Sequence, residues 1–101
     1  MVTHDTRRSA RSSGDYQLLV PLLVASRERS ELSQVELATR LKKPQSWVSK
    51  VERGERRIDP VELIRWCDEV GADLVDMLEK LRGSLNDGAA TLVARRKQKP
   101  R

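Results

Sequence analysis

Between Leu32 and Gly54 the chain has room for only two short helices and a tight turn, and that segment constrains everything else. Ser33 with Glu36 three residues later forms a capping-box signal that starts the first helix. Leu37 and Leu41 stand four apart, one above the other on a helix, and Ala38 beside them is small enough for a close neighbour. Pro44 opens the second helix, where a missing backbone N–H costs little, and Gly54 closes it with a left-handed residue. In this second helix Val48 and Val51 form the inward stripe. Gln45, Ser46, Trp47, Ser49 and Lys50 are predicted to point elsewhere, as a surface of amides, hydroxyls, an indole and an ammonium without a carboxylate. Such a surface suits a DNA major groove, where bases offer donors, acceptors and methyls beside anionic phosphates.

The flanking signals predict three more helices. One runs from about Tyr16 to Arg29, capped by Ser13 or Asp15, with Leu19, Leu22, Leu23 and Ser26 on one face. Pro21 limits it: either the regular helix begins near Val20, or it begins at Tyr16 with a bend. Asp59-Pro60-Val61-Glu62 starts another helix that ends at Gly71, with Leu63, Ile64, Trp66, Cys67 and Val70 facing inward. Ile58 just before it is expected in the core. The last predicted helix spans Asp73 to about Arg82. Lys42 stands where a helix end commonly turns left-handed and favours glycine, a strain of about 1 kcal/mol.

These signals predict one all-α domain over residues 15–82, flanked by a disordered arm at 1–14 and a basic, flexible tail at 83–101. With no Phe and only Tyr16, Trp47 and Trp66 as aromatics, the core is mainly aliphatic. No apolar run approaches the roughly 20 residues a membrane span requires. A single cysteine, Cys67, excludes an internal disulfide and fits a cytoplasmic protein.

The net charge of +5 conceals a polarised body. Residues 40–57 carry Arg40, Lys42, Lys43, Lys50, Arg53, Arg56 and Arg57 against Glu52 and Glu55. Residues 59–79 carry Arg65 against Asp59, Glu62, Asp68, Glu69, Asp73, Asp76 and Glu79. Positive charge thus gathers on and just after the second short helix, the footprint expected for a polyanion. The lone His4 leaves neither a zinc ligand set nor a Ser-His-Asp triad, and no glycine-rich phosphate loop is present. No enzymatic activity, cofactor or metal is expected.

From Leu32 to Gly71 the chain resembles the lambda-repressor/Cro-like helix-turn-helix family, also called the XRE family. Leu32-Ser33-Gln34, Glu36-Leu37-Ala38, Leu41, Gln45-Ser46, Val48-Ser49-Lys50, Val51-Glu52-Arg53-Gly54 and Val70-Gly71 carry the likeness. With the first and last helices it extends over about residues 16–81, and Lys42 is its main departure. The resemblance implies a compact five-helix bundle whose second and third helices form the helix-turn-helix. It also implies a dimeric, repressor-type transcriptional regulator of bacterial or phage type, bound to two half-sites about 34–36 Å apart on a palindromic operator. It assigns base reading to Gln45, Ser46 and Lys50, and a phosphate contact to Gln34. Ser49 and Arg53 become backbone contacts, and Arg27 with Glu52 a structural ion pair. Arg56 and Arg57 are expected at phosphates, and Trp47 either against the DNA or over the turn between the two helices. The last helix, through Leu74, Val75, Met77, Leu78 and Leu81, is the expected dimer surface. An alternative is an antitoxin or mobile-element controller whose main partner is another protein, bound through the last helix and the tail.

Overall fold

The structure is a computed structural model that describes residues 14–93; the predicted arm at 1–14, Ser13 included, lies outside them except for Gly14, as does the end of the basic tail. A single helical turn, Gly14–Gln17, leads into five helices: α1 Leu19–Arg29, α2 Gln34–Leu41, α3 Gln45–Glu52, α4 Pro60–Val70 and α5 Leu74–Val93. There is no strand among the described residues.

Pro21 explains the break before α1. It is the third residue of that helix, where a missing N–H leaves no intrahelical bond unmade, so the regular helix starts at Leu19. Asp15 lies inside the leading turn rather than at a cap, and no side chain caps Leu18. The capping boxes of α2 and α4 are both closed. Ser33 Oγ accepts from the Glu36 N–H at 3.0 Å, and Asp59 Oδ1 from the Glu62 N–H at 2.8 Å. Pro44 is the cap residue of α3, extended at φ −66° and ψ 152°, one position earlier than the sequence suggests. Lys42 adopts the left-handed conformation (φ 59°, ψ 43°), as does Glu31 at φ 60°.

Leu23, Leu37, Val48, Val51 and Trp66 are wholly buried and define the core, with Leu19, Ala38, Ile58, Leu63, Cys67, Val70 and Met77 around them. Each large apolar side chain removed from water contributes about 1.5–3 kcal/mol, so these few residues hold α3 against α1 and α2. Ser26 is the one buried polar residue among those described, and it is satisfied on both sides. Burial, with Asp68 and Asp73 nearby, pushes the Cys67 thiol above its ordinary value, leaving a protonated core group in contact with Met77 sulfur at 4.0 Å.

Three expectations need correction. Ile64 is exposed rather than inward, because α4 buries one stripe through Leu63, Trp66, Cys67 and Val70 and Ile64 falls outside it. Met77 belongs to the core instead of the dimer surface, and Leu74 and Leu81 pack against that core, which leaves Val75 and Leu78 exposed. Finally, α5 does not stop near Arg82 but continues to Val93 through the first part of the stretch expected as a flexible tail. Gly83 costs only about 1 kcal/mol in a helix already nucleated, and Leu85, Ala89 and Ala90 are good helix formers.

Candidate nucleic-acid interface

The outward side of α3 is held from beneath by a chain of polar side chains. Arg27 on α1 donates to Glu52 through Nε at 2.7 Å and through a terminal nitrogen at 3.0 Å. Its other terminal nitrogen donates to the Leu32 carbonyl at 2.7 Å, next to the α2 cap. The pair is largely buried, with side chains 13% and 6% exposed, and the hydrogen bond to Glu52 raises the Arg27 guanidinium above its ordinary value despite desolvation. Gln34, the first residue of α2, donates from Nε2 to Glu52 Oε1 at 2.8 Å. Gln45, the first residue of α3, donates from its own Nε2 to Gln34 Oε1 at 2.8 Å. Three helices therefore meet through four side chains, and exposed Gln45 ends the chain.

Gln45, Ser46 and Lys50 share the solvent-facing side of α3, and Lys50 makes no ion pair among the described residues. Ser49 accepts a hydrogen bond from Arg53. Arg53 also pairs with Glu55 at 2.9 Å, an exposed bridge that lowers the Glu55 carboxyl below its usual range. Arg53 is thus a cation already partnered on its own helix end, and a surface pair of this kind adds little to stability.

Trp47 departs from the outward face that its helical position suggested. Its ring is half-buried against the core, 6.3 Å from Trp66 and tilted by 48°, with the Lys43 ammonium at 5.0 Å and the Arg56 guanidinium at 5.2 Å. It covers the turn between α2 and α3. Its Nε1 is buried without a hydrogen-bond partner among the described residues. Lys43 and Arg56 converge on Glu62 as well, at 3.7 and 3.0 Å. Burial pushes the Glu62 carboxyl up, but the Asp59 N–H and Arg56 outweigh it and hold the group below its usual range.

The leading turn braces the loop after α3. The Ile58 N–H donates to the Tyr16 hydroxyl at 3.0 Å, and Arg57 lies over the Tyr16 ring at 4.6 Å. Gln17 donates from Nε2 to the Gly54 carbonyl at 3.4 Å, and Gly54 takes the left-handed backbone at φ 76° that favours glycine, where a Cβ would push the Gln17 amide aside. Sequence reasoning missed Tyr16, Gln17, Lys43 and Glu62 as supports of the site. Only the capping role of Glu62 left a signal, because Tyr16 with Ile58, Gln17 with Gly54 and Lys43 with Glu62 are contacts between residues far apart in the chain.

Residues 19–81 match a family model described as a helix-turn-helix domain. A comparison with curated proteins returned no match. Among solved structures, an XRE-family like protein from Pseudomonas syringae pv. tomato strain DC3000 is 39% identical, with a TM-score of 0.65 over 83% of this chain and 98% of its own. The clp gene regulator ClgR from Corynebacterium glutamicum is 25% identical, with a TM-score of 0.66 over 79% of this chain and 85% of its own.

Proposed function

Since the chain belongs to the XRE-type helix-turn-helix family, we propose that it is a sequence-specific regulator of transcription that reads the major groove with the outer side of α3. One observation carries this reading. Gln45, Ser46 and Lys50 lie exposed on a helix whose opposite side is locked into the core by Val48 and Val51. A polar helix face held in place by that packing suits a groove about 12 Å across, which admits an α-helix.

Two energetic terms divide the work. Lys50, Arg53, Arg56 and Arg57 give a salt-dependent attraction to phosphates that is blind to sequence, with Gln34 and Ser49 as neutral backbone contacts. Gln45 and Ser46, with Lys50 where it reaches guanine acceptors, supply discrimination, each good contact being worth about 1–3 kcal/mol. Trp47 supports the face from behind. Arg56 is shared, because any phosphate competes with Glu62 and the Trp47 ring for its guanidinium.

The chain acts as a homodimeric repressor, pairing through the exposed Val75 and Leu78 side of α5 and occupying a palindromic operator in the cytoplasm. The same exposed residues support the second reading, in which a different protein such as a toxin covers them. No helix among the described residues is long and apolar enough to cross a membrane.

Selection of bound duplexes from a random pool tests the proposal. The expected product is an enriched palindrome whose preference at one base pair per half-site is lost in Gln45→Ala. A wild-type pool without enrichment, or an unchanged profile in Gln45→Ala, refutes it.

A further inference from the structure

Glu62 has more partners than a capping residue needs. Besides the Asp59 N–H at 2.9 Å, it accepts from both terminal nitrogens of Arg56, at 3.0 and 3.2 Å, and lies 3.7 Å from the Lys43 ammonium. Lys43 belongs to the turn before α3 and Arg56 to the loop after it. One carboxylate on α4 thus gathers a cation from each end of the helix proposed to read DNA. The same two cations lie over the Trp47 ring, at 5.0 and 5.2 Å. A helix seated in the major groove has a phosphate strand along each rim, so cations at its ends are the ones a duplex would draw on.

We infer that Glu62 is a specificity-determining residue: it holds Lys43 and Arg56 back from phosphates, and so weakens attachment to unrelated DNA more than attachment to the matched site. The inference rests on the DNA-reading role proposed above and adds a residue that restrains its sequence-blind part. Glu62 is held in place, because its side chain is only 15% exposed, the α4 cap fixes one oxygen and Arg56 binds it bidentately. Glu55 is different. It is 55% exposed, and water screens its bridge to Arg53, so that cation is released readily. On an unrelated duplex a phosphate must displace Glu62 before it gains Lys43 or Arg56. On the matched duplex, base contacts from Gln45, Ser46 and Lys50 seat α3, and the phosphates at its ends then compete with Glu62 at close range.

Glu62→Gln isolates this role, because its amide oxygen can still accept from the Asp59 N–H while the charge that gathers the two cations is gone. Affinity for an unrelated duplex and for the selected duplex is measured across a salt series. The proteins compared are wild type, Glu62→Gln, Glu55→Gln, and Lys43→Ala with Arg56→Ala in the presence and absence of Glu62→Gln. Circular dichroism checks that each is folded, and Glu55→Gln keeps the test usable if the multiple variants unfold.

Glu62→Gln should bind the unrelated duplex roughly three- to tenfold more tightly, and the selected duplex by a smaller factor. Its salt slope should steepen by about 0.9 for each cation that reaches a phosphate. The gain should disappear when Lys43 and Arg56 are absent, and Glu55→Gln should gain less. Unchanged or weaker binding of unrelated DNA by folded Glu62→Gln overturns the inference and leaves the DNA-reading proposal standing. An equal gain on both duplexes does the same, as does an equal gain in Glu55→Gln or one that survives loss of both cations. A wild-type chain that binds no duplex removes both.

Discussion

Trp66 donates its indole N–H to the Ser26 hydroxyl at 3.0 Å, and the two buried residues tie α4 to α1 across the middle of the core. Ser26 passes its own hydrogen to the Leu23 carbonyl at 2.7 Å, so every polar hydrogen in this small network has an acceptor. The other tryptophan contrasts with it, because the buried Nε1 of Trp47 has no partner among the described residues.

Ser26→Ala should therefore destabilise by about 1–3 kcal/mol, the cost of leaving a buried donor unsatisfied. In thermal melts this corresponds to several degrees for a domain of this size. Trp47→Phe deletes a donor that is already unsatisfied and should cost less than Trp66→Phe. Equal losses in the two tryptophan variants would show that the hydrogen bond contributes nothing.

Lys42 holds a left-handed backbone at φ 59°, where a side chain is strained and glycine is not. Lys42→Gly should raise stability by about 0.5–1 kcal/mol, measured by urea denaturation at unchanged m-value. A loss of stability would mean that the lysine side chain contributes more than its backbone strain costs.

Glu62 accepts from Arg56 through both oxygens, at 3.0 and 3.2 Å, and its carboxyl lies below its usual range in the folded protein. A carboxyl depressed on folding adds stability that is present above its unfolded value of about 4.3 and is lost as pH falls through the folded value. Glu62→Gln keeps the capping box but cannot titrate. Its stability curve should fall less steeply than wild type below about pH 4.3. Parallel acid limbs for the two proteins would show that Glu62 has no part in acid sensitivity.

Val75 is 63% exposed on α5, and Leu78 is 42% exposed one turn further on. Val75→Asp places a charge at the centre of the proposed dimer surface while leaving the core untouched. Sedimentation should then show a monomer where the wild type is a dimer. A dimer in both would place the interface elsewhere, and a monomeric wild type would favour a different protein partner.

The elements that the sequence made legible are those written in local chemistry. Ser33 with Glu36, Asp59 with Glu62, and Gly71 each act within one turn of their own position, and α2, α3 and α4 start and stop within a residue of the expected places. The core positions Leu37, Val48, Val51 and Trp66 followed from helical spacing alone. Trp47 and Ile64 did not, since spacing gives an angle around a helix but not which neighbour covers that angle. The length of α5 escaped because the segment from Gly83 onward was read as a flexible tail, although a weak residue such as Gly83 does not stop a helix that is already propagating. At the interface, the residue types on α3 were visible in the chain. The link from Gln45 through Gln34 to Glu52 was not, since it joins side chains on α2 and α3 whose contact only the fold brings about.

The central claim is that the polar side of α3 is the surface that meets DNA, and NMR titration of the labelled protein with its selected duplex tests it most directly. The predicted result is a set of shifts concentrated at Gln34, Gln45, Ser46, Ser49 and Lys50, with the acidic residues Asp68, Asp76 and Glu79 of α4 and α5 unmoved. Shifts centred on α4 and α5, or none at low ionic strength, would contradict it.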